Sequence, residues 1–177
     1  MDFITGVKEK ETLEISKLLA EDYLGKTVKV NGAIHTIRDM GDVAFVVLRK
    51  REGLLQCVYE DGKTKFELSD LRENMTVEIS GVVSAEDRAP NDIEIRIAEI
   101  IVLSEPDAPM PIPISKWKLT SNLETLLDLR PVSLRNIRER AKFKIQEGMV
   151  RGFREFLQTQ GFTEVRTPKI VSRGAEG

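Results

Sequence analysis

Hydrophobic and polar residues alternate along most of the first hundred positions of the chain. Residues 27–37 place Val28, Val30 and Ile34 on one face and charged or polar side chains on the other. A two-residue period predicts a half-buried β-strand, and Gly32 within it predicts a bend. Turn residues then separate further alternating segments. The pattern predicts five strands, the first three forming an antiparallel meander, at residues 27–37, 43–51, 54–60, 75–84 and 92–103.

Helical spacing of apolar residues predicts helices before, between and after these strands. Short helices are expected at residues 11–22, at 63–74 and in the segment that ends before Pro131. The longest helix should begin after Asn136, an effective N-cap, and end near residue 160, because Gly161 follows as a stop signal. Residues 163–171 then predict a strand interrupted by Pro168.

The order of these elements predicts a mainly β protein with α, built as a five-stranded OB-fold barrel. A small antiparallel sandwich or an SH3-like barrel would satisfy the alternation alone, but the order of elements favours the OB fold. Four prolines between residues 106 and 113 predict a stiff linker. One long helix and one strand cannot enclose a core, so the second domain is expected to be present only as its opening part. We therefore expect an OB domain at 1–104, a linker at 105–130 and a truncated second domain at 131–177.

Composition excludes several classes of protein. The 177 residues are 41% hydrophobic and 32% charged, which is enough apolar material for a core and too balanced for a disordered polyelectrolyte. No stretch approaches the ~20 apolar residues of a membrane span, and the N-terminus lacks the apolar segment of a signal peptide. A soluble, cytoplasmic protein is expected. Cys57 is the only cysteine and His35 the only histidine, so neither an internal disulfide nor a metal site is expected.

The small net charge of −2 conceals two parts of opposite sign. Residues 1–128 contain 16 Lys and Arg against 24 Asp and Glu, whereas residues 129–177 contain 11 against 5. Binding of nucleic acid by bulk charge needs a concentrated basic surface, which the first part lacks. Any RNA site in the barrel must therefore be local.

Two segments on either side of the proline-rich stretch carry a family resemblance. VNGAIHTIRDMGDVAFVVLRKREGLLQCV resembles the first three strands of the anticodon-binding OB domain of class II aminoacyl-tRNA synthetases. LDLRPVSLRNIRERAKFKIQEGMVRGFREFLQTQGFTEVRTPKIVSRGAEG resembles the beginning of their catalytic domain, including motif 1. The resemblance covers nearly the whole chain. It lies within the aspartyl, asparaginyl and lysyl subgroup and is strongest to the archaeal-type aspartyl enzymes.

This resemblance implies a ligase that joins aspartate to tRNA-Asp with ATP and Mg²⁺, working as a homodimer through motif 1. Motifs 2 and 3, which carry the catalytic arginines of the family, are not in this sequence, so the full-length protein is expected to be an enzyme and this piece is not. No catalytic residue, membrane contact or DNA partner is expected. The alternatives are an asparaginyl-tRNA synthetase, a free-standing OB protein that binds tRNA without catalysis, and a dimerisation fragment.

The resemblance also implies an anticodon-binding set. Phe45 stands where the family stacks a base on an aromatic ring, and Gln56 where an amide pairs with the central uracil. Arg38 matches an arginine that holds a phosphate or a base edge, and Glu94 a glutamate that accepts from base amino groups. The alternatives are that Phe45 belongs to the barrel core and that Gln56 is a solvated strand residue.

Other family positions concern tRNA choice and the second domain. His35 and Pro90 stand where the family's enzymes confined to tRNA-Asp have Trp and Lys, which implies that tRNA-Asn is used as well; the alternative is a surface strand residue and an ordinary loop proline. Pro168 of motif 1 would reach toward the dimer partner, and Glu176 would contact the ammonium group of aspartate. A basic row on the long helix meets either tRNA, a partner subunit or only solvent: Arg135, Arg138, Arg140, Lys142 and Lys144.

Overall fold

The computed structural model describes residues 13–20, 22–64 and 66–167. The chain divides into two compact units between Ser121 and Asn122. The first unit contains a closed barrel with the strand order β1-β2-β3-β5-β4, in which only β3 and β5 run parallel. The strands are β1 Thr27–Asp39, β2 Val43–Arg49, β3 Leu54–Glu60, β4 Thr76–Ala85 and β5 Ile93–Ser104. The predicted five-stranded OB-fold barrel is confirmed.

The first strand changes partners in its middle. Residues 27–33 of β1 pair with β4, and residues 33–39 pair with β2. A Cβ added at Gly32 would lie 3.2 Å from the carbonyl oxygen of Arg49, so the glycine permits a close approach of the two backbones where β1 changes partner. The register then shifts between Ile34 and Thr36, which leaves His35 as the extra residue of a β-bulge.

The barrel interior is filled by alternate strand residues, as the two-residue period requires. Leu48, Leu55, Ile79 and Ile95 have no exposed surface and belong to one hydrophobic cluster. The helix α1, Ile15–Ala20, adds Ile15 and Leu18 to this cluster. Of the helix predicted at residues 11–22, the described residues form only the part Ile15–Ala20.

The prediction of a helix over residues 63–74 is wrong. In the described part of this segment only Leu68–Asp70 forms a helical turn, of the 3₁₀ type. The carbonyl oxygen of Phe66 accepts hydrogen bonds from the Tyr59 hydroxyl at 2.7 Å and the Thr64 hydroxyl at 2.9 Å, so it is not used by an α-helix. Asn74 has a left-handed φ of 71° and turns the chain into β4. Side-chain competition for backbone groups thus prevails over the apolar spacing.

The regular structure in the described part of the second unit consists of three helices, α2 Leu123–Asp128, α3 Arg130–Ser133 and α4 Ile137–Thr159. Helix α2 ends before Pro131, as predicted. Pro131 itself lies in the first turn of α3, where a missing N–H is tolerated. Asn136 caps α4 by accepting from the backbone N–H of Glu139 at 3.1 Å. Gly161 follows α4 with a φ of 82°.

The strand predicted at 163–171 is not formed in its described part, residues 163–167. A strand needs a hydrogen-bonding neighbour, and the second unit offers only helices over the residues that are described. The remainder of the predicted strand, residues 168–171, lies outside the described residues.

The proline-rich segment up to Ser121 belongs to the first unit. Ile112 and Ile114 are buried and, together with Arg72 and Asn74, line a cavity of about 430 Å³. The unit division at Ser121 falls inside the stretch 105–130 for which a linker is predicted. Among the helices of the described chain, none combines the length and the apolar character that crossing a bilayer would require.

Candidate nucleic-acid interface

The outer face of the barrel carries two cross-strand rows of side chains over β1, β2, β3 and β5. Because successive strand residues point to opposite faces, the positions between buried core residues face outward. Strand pairing aligns the first row as Thr36, Val47, Gln56 and Glu94. It aligns the second row as Arg38, Phe45, Val58 and Arg96.

Four sequence-predicted residues meet on this face in one connected network. Arg38 Nη2 donates to Gln56 Oε1 at 3.0 Å, and Gln56 Nε2 donates to Glu94 Oε2 at 3.1 Å. The Arg38 guanidinium also lies over the Phe45 ring, 5.3 Å from its centroid. Residues separated by up to 56 positions in the sequence are thus brought together by the closure of the barrel. We define Arg38, Phe45, Gln56 and Glu94 as the outer-face network.

Burial within the network is uneven. Gln56 and Glu94 are only 5% and 6% exposed, whereas Arg38 is exposed and Phe45 is half-buried. Phe45 is not part of the hydrophobic core, and Gln56 is not a solvated strand residue. Buried polar groups need partners, and the two hydrogen bonds supply them. The face therefore holds a partly exposed aromatic ring and a cation beside an amide and a carboxylate that are held in place.

Two further residues of this face were not found from the sequence. Ser84, the strand partner of Glu94, donates from its hydroxyl to Glu94 Oε1 at 3.5 Å. Arg96 lies two residues after Glu94 on the same outer face and is exposed. The two-residue period of β5 was the available signal for Arg96, whereas the Ser84 contact depends on the β4–β5 register.

His35 and Pro90 lie at different places around this face. His35 is 6% exposed in the bulge of β1, with Nδ1 3.5 Å from Arg49 Nη1. Pro90 is exposed and begins the short turn Pro90–Asp92 between β4 and β5. The neighbouring Asn91 donates to the carbonyl oxygen of Leu54 at 3.0 Å, so this turn lies against β3. Strand β2 separates the two positions, and His35 is not a surface residue.

The surroundings of His35 favour the neutral form of its imidazole. Burial lowers the pKa of His35 below its usual value of 6.5, and the positive charge of Arg49 lowers it further. The carboxylate of Glu73 opposes this effect but is the smallest of the three causes. Arg49 is itself held by a contact of 3.5 Å with the side-chain oxygen of Asn74.

We expect the stability of the chain to fall as the pH is lowered below 6.5, in part because of His35. The unfolded chain then binds a proton at His35 that the folded chain does not, and this loss continues down to the lowered folded-state pKa. Urea denaturation at pH 7.5 and pH 5.5 should show a smaller loss for His35→Gln than for the unsubstituted chain. Equal losses in the two proteins would contradict this assignment.

The long helix α4 presents a second surface. Its exposed apolar side chains include Phe143, Ile145, Met149, Phe153 and Phe156. Ile145, Met149, Phe153 and Phe156 follow a spacing of about four residues and so share one face of the helix, and an exposed apolar face is typical of an interface.

Within the predicted basic row, Lys142 pairs with Glu139 at 2.5 Å and Lys144 with Glu147 at 3.4 Å.

Two predicted positions cannot be placed. Pro168 and Glu176 lie outside the described residues, so their roles stay predictions. Over the described residues there is no group of three or more His, Cys, Asp or Glu side chains that could hold a metal ion.

Each of the two units matches a known protein family. Residues 28–103 match the family described as OB-fold nucleic acid binding domain, and residues 122–177 match tRNA synthetases class II (D, K and N). The chain is 43% identical over 153 residues to an aspartate-tRNA(Asp/Asn) ligase of Deinococcus radiodurans, covering 86% of this chain and 34% of that protein. It is 39% identical over 157 residues to the protein of that name from Archaeoglobus fulgidus, covering 86% of this chain and 36% of that protein.

A solved structure agrees with these matches. Asparaginyl-tRNA synthetase of Pyrococcus horikoshii, complexed with asparaginyl-adenylate, superimposes with a TM-score of 0.73 at 27% identity, over 88% of this chain and 36% of that one. The chain thus spans about a third of the length of the relatives it matches. In both of its units, and in this order along one chain, the protein is thus similar to the class II aminoacyl-tRNA synthetases of the aspartyl, lysyl and asparaginyl group.

Proposed function

We propose that the complete protein is an aspartate-tRNA ligase, and that this chain carries its anticodon recognition and its motif 1 dimer element. The observation that supports anticodon recognition is the outer-face network, which combines a stacking ring, a cation, an amide and a carboxylate on an OB barrel. The relatives named aspartate-tRNA(Asp/Asn) ligase, 43% and 39% identical, support aspartate as the amino acid.

The network has the chemistry needed to bind an unpaired RNA loop. Sequence-specific proteins recognise such loops by stacking splayed bases on aromatic rings and by hydrogen-bonding their edges. Phe45 offers the ring, Gln56 an amide edge and Glu94 an acceptor for base amino groups. Arg38 adds a donor fork that can hold a phosphate or a base edge. A local site of this kind suits a unit whose overall charge is acidic.

The second unit is proposed to form a homodimer. The exposed apolar side chains of α4, Phe153 and Phe156 among them, support an interface on this helix. The resemblance of this region to motif 1 also supports a dimer, and Pro168 is proposed to approach the partner subunit. Glu176 is proposed to contact the ammonium group of aspartate.

Class II synthetases use ATP and Mg²⁺ to activate the amino acid before its transfer to tRNA. The described residues contain no acidic cluster suited to Mg²⁺, so no step through the metal is assigned to them. The proposed contribution of the described part of the chain is to bind the anticodon loop and to orient the tRNA.

Charging assays with the complete protein test this proposal. We expect aspartate to be attached to both tRNA-Asp and tRNA-Asn, because neutral His35 and exposed Pro90 replace the Trp and Lys of enzymes restricted to tRNA-Asp. The variants Pro90→Lys and His35→Trp/Pro90→Lys should shift the preference toward tRNA-Asp. Pro90→Lys is also assayed alone, because Pro90 is exposed and its substitution leaves the barrel intact, whereas an indole at buried His35 disturbs the bulge.

Asparagine serves as the control amino acid in these assays. Charging of asparagine in preference to aspartate would replace the proposed function by that of an asparaginyl-tRNA synthetase. A strong preference for tRNA-Asp that neither variant alters would refute the use of tRNA-Asn. In parallel, the 177-residue chain should bind an anticodon stem-loop without activating aspartate.

A further inference from the structure

The side-chain amide of Gln56 is held in one of its two possible orientations. Arginine has only hydrogen-bond donors, and an ionised carboxylate has only acceptors. Arg38 on one side therefore demands the amide oxygen, at 3.0 Å, and Glu94 on the other side demands the amide nitrogen, at 3.1 Å. Turning the amide over would place donor against donor and acceptor against acceptor. Both neighbours thus favour the same orientation.

The two neighbours are themselves held by the barrel. Glu94 is the direct partner of Gln56 in the parallel β3–β5 pairing, and its other oxygen accepts from Ser84 at 3.5 Å. Arg38 lies on β1 and reaches Gln56 with its guanidinium over the Phe45 ring of the intervening β2. Because both partners are fixed by neighbouring strands, the orientation of the amide is a property of the fold.

We infer that Arg38 and Glu94 act as positioning residues that fix the Gln56 amide and so allow it to distinguish uracil from cytosine. This inference rests on the proposed anticodon recognition. After its bonds to Arg38 and Glu94, the amide retains one lone pair on Oε1 and one hydrogen on Nε2 for a base. Those two groups form an acceptor and a donor in a fixed order.

Uracil and cytosine require opposite orders at the same place. The uracil edge presents an acceptor at O4 and a donor at N3, whereas the cytosine edge presents a donor at N4 and an acceptor at N3. For a pyrimidine whose ring is held by stacking on Phe45, an amide free to turn over could pair with either base. A fixed amide pairs fully with one of them, so discrimination depends on Arg38 and Glu94 as well as on Gln56.

Stem-loop binding to the 177-residue chain tests the inference, using two RNAs that differ only in uracil or cytosine at the central anticodon position. Fluorescence anisotropy should show that the unsubstituted chain prefers uracil by about tenfold or more, as expected for a bidentate base contact. The variant Arg38→Met/Glu94→Gln removes the donor fork and replaces the carboxylate by an amide of similar shape. Its preference should fall to about threefold or less, since the amide can then turn over.

Two further proteins make the result decisive. Arg72→Met/Glu105→Gln makes the same changes in an exposed ion pair of 3.8 Å elsewhere in the first unit, and it should retain the uracil preference. Glu94→Gln alone is the milder variant, to be used if the double variant does not fold, and it should also reduce the preference. Circular dichroism and thermal melting report folding in each case.

The outcomes separate this inference from the proposed function. If the unsubstituted chain binds the uracil loop and loses the preference in Gln56→Ala, anticodon recognition by the network stands. If Arg38→Met/Glu94→Gln or folded Glu94→Gln then keeps the full preference, the positioning role is overturned. If the unsubstituted chain binds neither loop, both the proposed recognition and this inference are overturned.

Discussion

Replacing Gly81 with alanine is expected to destabilise the barrel by about 3 kcal/mol, or to prevent folding. A Cβ at this position would lie 2.2 Å from the carbonyl oxygen of Arg96 and 2.7 Å from Cγ2 of Ile95. The first contact is with backbone, which no change of rotamer can relieve. Gly81 also lies where the β4–β5 register shifts, between Ser80 and Gly81. Strands β4 and β5 would have to separate locally, and their bulge would be lost.

Urea denaturation followed by circular dichroism measures this effect. Gly53→Ala is the matched control, because its added Cβ would meet only Cδ1 of Ile15, at 4.0 Å. That variant should stay within about 0.5 kcal/mol of the unsubstituted chain. A Gly81→Ala protein that unfolds at the same urea concentration as Gly53→Ala would show that the two strands tolerate the extra carbon.

Replacing Phe45 with alanine is expected to weaken binding of an anticodon stem-loop by about 5- to 150-fold. This range corresponds to a stacking energy of about 1–3 kcal/mol for one base on one aromatic ring. The substitution also removes the ring beneath the Arg38 guanidinium, which lies 5.3 Å from its centroid. The fold should persist, because Phe45 is half-buried on the outer face and does not belong to the core cluster.

Isothermal titration with the 177-residue chain measures the affinity, and thermal melting confirms the fold. Phe45→Tyr is the control variant, since it keeps an aromatic face and should bind within a few-fold of the unsubstituted chain. Unchanged affinity of a folded Phe45→Ala protein would remove Phe45 from the proposed interface. Large losses in both variants would indicate that the ring acts through shape and not through stacking.

The strands and the long helix were predictable because they depend on local periodicity. Two-residue alternation identified all five strands, and four-residue spacing between Asn136 and Gly161 identified α4 with both of its ends. The same reasoning failed at residues 63–74, where Tyr59 and Thr64 take the carbonyl oxygen of Phe66. Apolar spacing alone does not reveal that a side chain from a neighbouring strand competes for a backbone group.

The candidate site was predictable in its members but not in its connections. The family resemblance singled out Arg38, Phe45, Gln56 and Glu94 one by one. Their linkage into one network depends on the parallel β3–β5 pairing and on the reach of Arg38 across β2. Ser84 entered only through the β4–β5 register. Strand pairing between distant segments is not encoded in any local pattern, so the sequence offered no signal for these contacts.

The burial of His35 shows the same division between local and tertiary information. Alternation alone placed this residue on the polar outer face of β1, and Gly32 marked the bend beside it. The bulge between Ile34 and Thr36 then makes His35 an extra residue, buried beside Arg49 with a lowered pKa. The sequence by itself thus determined the strands, their outward faces and the residue types available for binding RNA. Only the tertiary structure decided which of these groups touch, because closing the barrel sets the register between strands distant in sequence.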